Sequence, residues 1–237
     1  HLKWSIEMGR PIETYTDSFG QTIEFSIPEP HKKICINISG GADSAILLMM
    51  LVQYCEKHIP DAELHVITSA NPIKGWYNAK WSTSVLDKVL HLTGTKLIKS
   101  HYTFYSTDQI RLELDEAELM QQGLYDITLS IHGTTQNPPM EIVELLEGRY
   151  EPRDAGHGRM IIREYVPGIT RWTPLMEVDK RMVAYLYKHF DMMETLFPYT
   201  RSCEQEARHN KDEPSWMMTH CGECWWCKER KWAFGRV

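Results

Sequence analysis

The chain has 237 residues, 42% of them hydrophobic and 24% charged, with a formal net charge of −6. That composition excludes a disordered, collagen-like or disulfide-dense chain, and a negative balance without long runs of like charge argues against direct capture of a nucleic-acid backbone. No apolar run approaches the roughly 18–20 residues of a membrane helix and residues 1–20 show no leader pattern, so the expectation is a cytoplasmic protein with no membrane partner.

Residues 1–30 read as an N-terminal extension. Alternation in Thr22-Ile23-Glu24-Phe25-Ser26-Ile27, closed by Pro28 and Pro30, predicts a short edge hairpin. The apolar run Lys33-Ile34-Cys35-Ile36-Asn37-Ile38 then predicts a strand, Gly40-Gly41 a tight turn, and Ser44 to Val52 a buried helix. A second strand is expected at Glu63–Thr68, a helix at Trp81–Leu92, a third strand at Lys96–Lys99, a helix at Ile110–Gln122 and a fourth strand at Asp126–Ile131. Strands alternating with helices imply a parallel sheet with right-handed crossovers. Pro138, Pro139, Gly148, Pro152, Gly156 and Gly158 mark most of residues 134–160 as a long loop, of the kind that often carries function. Met160–Tyr165 is a further strand candidate, and Asp179 is expected to cap a helix reaching about His189.

Ser39-Gly40-Gly41-Ala42-Asp43-Ser44 lies where a strand hands over to a helix, so free backbone N–H groups and the helix dipole favour an anion. The two glycines allow close approach of a phosphate, and the serines add hydroxyl donors. An acid at Asp43 makes sense beside phosphate if it holds Mg²⁺ or orients the loop. The blander alternative is a plain glycine turn. No lysine closes the loop, which separates it from the Walker type.

Cys221, Cys224 and Cys227 recur every third residue, with Cys203 upstream. Four thiolates so spaced suit tetrahedral Zn²⁺ in a closed structural site. His209 and His220 are alternative ligands, and a redox or sulfur-carrying set and unbound thiols are alternative readings. Cys35 and Cys55, in a predicted strand and helix, read as core residues. Trp225, Trp226 and Trp232 are expected to pack the tail onto the core rather than stack on bases.

The hexapeptide Ser39–Ser44 resembles the SGGxDS signature of the PP-loop ATP pyrophosphatases, whose members cleave ATP between its α- and β-phosphates and adenylate a substrate oxygen. Thr173-Pro174-Leu175 followed by Lys180, the Ser202-Cys203 pair, and Cys221-x-x-Cys224-x-x-Cys227-x-x-Arg230 resemble, in order, the 7-cyano-7-deazaguanine synthase (QueC-type) family. The resemblance frames residues 33–235. It implies a doubly wound parallel α/β sheet of the PP-loop, adenine-nucleotide-alpha-hydrolase-like type, with a C-terminal zinc-binding tail. It also implies zinc on Cys203, Cys221, Cys224 and Cys227, and a phosphate-binding role for Lys180, which otherwise reads as a surface lysine. Thr68 and Ser69, at the carboxyl end of the second strand, and Gly133, at the end of the fourth, fall where such sheets bind nucleotide. The family's acceptor segment, a Tyr-Pro-Asp-Cys-Arg-like run, is not present; Gly133-Thr134-Thr135-Gln136-Asn137-Pro138-Pro139 stands there instead, so a different acceptor side is expected.

The expected organisation is an extension over 1–30, an ATP-binding domain over 31–190 and a zinc-binding region over 191–237. The expected chemistry is ATP- and Mg²⁺-dependent adenylation of a 7-deazaguanine carboxylate, amidation by ammonia and conversion to a nitrile, in a queuosine-type pathway. Asp43 and Lys180 are the catalytic candidates. Arg153, with His157, is a candidate grip on the heterocyclic substrate, and a homodimer is compatible with this reading. Two rivals stand beside it: a PP-loop sulfurtransferase or sulfonucleotide reductase using a cysteine, and a zinc-knuckle binding module on an ATP-sensing domain.

Overall fold

Ile34, Cys35 and Ile36 are fully buried on both sides of one strand, as expected of the centre of a parallel sheet covered on two faces. The computed structural model describes residues 9–70, 77–105, 126–147, 163–166, 169–203 and 220–237. In it, strands β1 (Glu13–Thr16) and β2 (Thr22–Phe25) precede that central strand, β3 (Lys33–Asn37). Helix α1 (Ala42–His58), β4 (Glu63–Ala70), α2 (Tyr77–Thr93), β5 (Ile98–Tyr105) and β6 (Leu129–His132) follow. Then come α3 (Met140–Leu145), β7 (Arg163–Val166), β8 (Ile169–Trp172), α4 (Lys180–His189), a 3₁₀ turn at Phe197–Tyr199 and α5 (Trp225–Phe234).

The main sheet has the order β5-β4-β3-β6-β8-β7. Five of its strands run parallel and β7 closes the edge antiparallel to β8. This is the α/β arrangement expected from the alternating pattern. Because β4 lies on one side of β3 and β6 on the other, the chain reverses its direction of travel across the sheet at β3. In open α/β sheets such a reversal is the place, outside the carboxyl ends of the strands, where ligands bind. Helix α1 starts there and is apolar almost all round, with Ala42 and Ala45 through Val52 buried, as befits a helix enclosed by the sheet, α2 and α4.

Several boundaries differ from expectation. The hairpin forms, but as its own two-stranded sheet rather than an edge of the main one. Strand β5 extends well beyond Lys99 because Ser100 to Tyr105, polar and aromatic by turns, continue the ladder with β4 as far as Ala70. Strand β6 starts at Leu129 rather than Asp126, because Asp126 has a φ of 48°, outside the extended region. Residues 134–160 are not loop throughout, for α3 begins behind Pro139 at its N-cap. Strand β8 was not expected; its four residues are too few for a periodic signal, although Pro167-Gly168 is a turn dipeptide that could have announced the β7–β8 hairpin. The expected helix at 110–122 lies outside the described residues.

The extension is bonded into the rest. Phe25 is fully buried, with its ring 5.5 Å from Tyr54 of α1 and 5.0 Å from Trp172 of β8. Glu13 accepts from Lys57 at 2.9 Å and pairs with His58 at 3.0 Å. Gln21 reaches across to the start of α4, its Oε1 accepting from Asp179 N at 2.8 Å and its Nε2 donating to Asp179 Oδ1 at 3.2 Å. Asp179 also accepts from Arg181 N at 2.9 Å, which satisfies an otherwise unpaired donor of the first turn. Among the described residues, no helix is long and apolar enough to cross a membrane.

If the hairpin is part of the core, Phe25→Ala should cost about 3–5 kcal/mol, the range for a truncated buried aromatic ring. Denaturant melts read this directly; a loss under about 1 kcal/mol would place the hairpin outside the cooperative unit.

Candidate nucleotide and metal site

The turn after β3 takes its shape from two glycines. Gly40 has a φ of 81°, and a Cβ there would lie 2.4 Å from Trp81 Cβ on α2, so no other residue fits without displacing that helix. Gly133, just past β6, approaches so closely that a Cβ would lie 3.0 Å from both Cα and N of Ser44. The expected loop residues and Gly133 are thus one surface. Ser44, whose Oγ accepts from Ser39 N at 3.2 Å and donates to Gly41 O at 3.3 Å, ties the ends of the turn together. Ser39 stays exposed at the mouth, and its Oγ accepts from Gly41 N at 3.3 Å. Gly41 caps α1 without a side-chain acceptor, leaving the first-turn donors directed outward.

Thr68 is fully buried behind the loop. Its Oγ1 donates to Ile38 O at 3.0 Å, so His101 Nε2, 2.9 Å away, is the donor to the same oxygen. Burial depresses the pKa of His101, in keeping with a neutral ring. The Thr68 hydroxyl is therefore committed to the wall of the fold. The carbonyl of the neighbouring Ser69 accepts from Asn78 Nδ2 at 3.1 Å.

Lys180, the first residue of α4, points back at the loop with only 4% of its surface exposed. Its Nζ lies 3.2 Å from Asp43 Oδ2 and 3.4 Å from Glu229 Oε2. Both catalytic candidates are therefore in contact. Glu229, fully buried on α5, was not singled out from sequence. Beside it, Arg230 is held by the 197–202 segment: Nη1 donates to Thr200 Oγ1 at 2.9 Å and Nη2 to Phe197 O at 3.2 Å, with the guanidinium 3.7 Å from the Phe197 ring centre. Burial lowers its pKa to about 10, so it remains charged at neutral pH. Tyr187 donates to Ala42 O at 3.0 Å, and burial drives its pKa far up. Arg201 N donates to Gly40 O at 2.8 Å, pinning the glycine turn from the other side. One signal could have found the tail's contribution: Cys227, Arg230 and Phe234 share a helical face at i, i+3, i+7, and a charged residue on such a stripe marks a buried polar contact.

Cys203, Cys221, Cys224 and Cys227 converge with their sulfurs all within 4.8 Å of one another, and they could bind a metal ion. Cys224 Sγ is 3.9 Å from Cys203 Sγ, and Cys221 Sγ is 3.8 Å from Cys227 Sγ. Bonds of about 2.3 Å to a tetrahedral ion would set the sulfurs about 3.8 Å apart, so the donor set fits one ion. It is too tight to surround a four-iron cubane, which would hold its thiolates apart with a whole cluster between them. Hydrogen bonding to Cys203 pushes the Cys224 thiol up to about 11, and contacts with Cys203 and Cys224 push Cys227 up as well. A bound cation acts the opposite way, by stabilising thiolates. His220 is not in the group; its Nε2 accepts from Ser202 N at 3.2 Å. His209, Arg153 and His157 lie outside the described residues. Cys35 and Cys55 are fully buried away from the cluster, and burial raises the Cys55 thiol to about 12. Trp226 packs on the cysteines and Trp232 lies under Arg181, 5.1 Å from its guanidinium.

No family model matches the chain, and no curated protein does. Among solved structures it is similar to the U34-tRNA thiolase NcsA from Methanococcus maripaludis with its 4Fe–4S cluster. The identity is 15% over 86% of this chain and 71% of that one, with a TM-score of 0.45. It is also similar to an NAD+ synthetase from Burkholderia pseudomallei, with 13% identity over 87% of this chain and 75% of that one and a TM-score of 0.36. Neither likeness, at these scores, bears on fold or chemistry.

Cys224→Ser should lower bound metal and thermal midpoint together, since affinity for a structural ion is folding free energy. Metal analysis with a melt on the same sample checks it, and a variant that keeps its midpoint without metal would argue for a chemical cysteine.

Proposed function

We propose that the chain is an ATP pyrophosphatase of the PP-loop kind that adenylates a carboxylate on a 7-deazaguanine-like heterocycle and, with ammonia, takes it to the nitrile. One observation carries the ATP half of this reading: the Ser39–Ser44 turn, Gly133 and the Asp43–Lys180 pair meet at the carboxyl end of β3, where the sheet reverses its order. The acceptor half rests on the sequence resemblance.

In this reading the turn's backbone N–H groups and the Lys180 ammonium receive the phosphates. Asp43 is the residue that would hold Mg²⁺, which supplies charge neutralisation as the pyrophosphate departs. The acceptor carboxylate already carries its nucleophilic charge, so no general base is required for its oxygen to attack the α-phosphorus. That bond forms as the bond to the β-phosphate oxygen breaks. Ammonia then adds at the acyl carbon and displaces AMP, leaving the amide. A second ATP is cleaved the same way by the amide oxygen; the C–O bond then breaks, AMP leaves with that oxygen, and loss of the nitrogen's protons gives the nitrile. Lys180, aimed at the pyrophosphate, supplies charge where it develops.

The four cysteines would hold a structural zinc ion. Their burial and crowding support a resident ion over a sulfur-transferring cysteine, because a chemical thiol must be reachable and ionised. Arg153 remains the sequence's candidate for the acceptor.

ATP–pyrophosphate exchange tests the assignment. With 7-carboxy-7-deazaguanine present, exchange should be acceptor-dependent, and Lys180→Met should reduce kcat by about 10²–10³, the cost of removing a group aimed at developing charge. Exchange that ignores the heterocycle would remove that acceptor, and no exchange with any carboxylate would overturn the activity. Arg153→Ala should raise KM for the acceptor more than it lowers kcat.

A further inference from the structure

We propose that Glu229 is a positioning residue for Lys180, and that through it the cysteine-bound metal sets the geometry of the nucleotide turn. This rests on the reading of the turn as an ATP site. Glu229 is fully buried, and its carboxylate lies 3.4 Å from Lys180 Nζ, which in turn is 3.2 Å from Asp43. The ammonium is shared between an acid of the turn and an acid of the tail.

The sharing matters because the two partners have different tasks. A buried ammonium with Asp43 as its single carboxylate would compete with a divalent cation for that carboxylate. A second carboxylate on the far side supports the ammonium when Asp43 turns to the cation, and it fixes the direction in which Nζ can swing toward phosphate. Arg230, also buried, adds a second positive charge, so Asp43, Glu229, Lys180 and Arg230 balance as two acids and two bases.

The metal joins this arrangement at both of its ends. Glu229 lies two residues beyond Cys227 on α5, within the first turns of a helix whose N-cap is Cys224. Arg201, whose N–H holds Gly40 O at 2.8 Å, lies two residues before Cys203. An ion on Cys203, Cys224 and Cys227 therefore clamps the segment that carries the Gly40 contact to the helix that carries Glu229. No long relay is needed: a single residue of backbone separates a ligand from a contact with the nucleotide turn on one side, and from a contact with its lysine on the other.

A double-mutant cycle tests the proposal on the full chain with metal bound. Glu229→Gln keeps the shape and removes the charge. It should keep its metal and lower kcat/KM in ATP–pyrophosphate exchange by about 10–100-fold, the usual cost of losing an outer partner. Combined with Lys180→Met, it should cost nothing further, since a residue acting through Lys180 has nothing left to act on. Direct binding of ATP to Glu229→Gln, and to wild type stripped of metal, should weaken in parallel.

Additive losses in the cycle, or a Glu229→Gln variant with wild-type exchange and ATP affinity, would overturn the proposal. If Glu229→Gln proves too unstable to assay, the double variant should regain stability because the stranded ammonium is gone; failure to regain it would also overturn the proposal. A wild type without exchange, or one indifferent to Lys180→Met, would instead remove the ATP reading itself.

Discussion

An ammonium almost wholly withdrawn from water is tolerable when anions stand next to it, and Lys180 meets that condition with Asp43 on one side and Glu229 on the other. The three residues come from the first turn of α1, the first residue of α4 and the middle of α5. Removing one partner of such a buried pair typically costs about 3–5 kcal/mol, so the relative placement of these three helices is fixed by charge as well as by apolar packing. The tail, the sheet and the glycine turn after β3 thereby share one constraint.

The same constraint explains the use of the N-terminal hairpin. Lys180 can face the turn only if α4 starts at the right place, and Asp179, its cap, is held from outside by Gln21. Tyr187, two turns further along α4, donates to Ala42 O and fastens the helix to the start of α1. Ion pair and phenol thus lock α4 against α1 at two points, while the cap ties it to the hairpin. Gly40 and Gly133 do the complementary work, Gly40 by letting α2 close on the turn where a side chain would clash, and Gly133 by letting α1 sit tightly against the end of β6.

Much of this was legible in the sequence where a local rule sufficed. The run Ile34-Cys35-Ile36 before two glycines identified the central strand and its turn, and Asp179 marked the start of α4. Cys203, Cys221, Cys224 and Cys227 were legible as a set because metal-ligand spacing is local for three of them. Strand β8 was not, since Ile169 and Trp172 owe their burial to β6 and to Phe25, partners distant in sequence. Glu229 was hidden for a similar reason. A glutamate in a lysine- and arginine-rich helix looks solvated, and its burial follows from Lys180 arriving from another helix. Thr68 was expected at the end of its strand, which runs two residues further to Ala70, and nothing local showed that its hydroxyl would be taken by Ile38 and His101.

The chain past Gly133 is attached to this lock rather than separate from it. Past Gly133, Thr135 and Asn137 are buried, and Gln136 N donates to Val178 O at 3.0 Å, just before the cap of α4. The Gln136 side chain donates to the neighbouring Glu177 carbonyl as well. This stretch therefore begins as a strap between the end of β6 and the start of the lysine-bearing helix. Its backbone is held at Gln136 just before the cap of α4, and beyond Pro139 the chain enters α3, whose far end is held to α5 by Lys228 Nζ donating to Leu146 O at 3.1 Å. Both ends of the run from Gly133 to Leu146 are therefore tied to the helices that carry Lys180 and Glu229, so a change at Gln136 would act on the ion pair as well as on the strap.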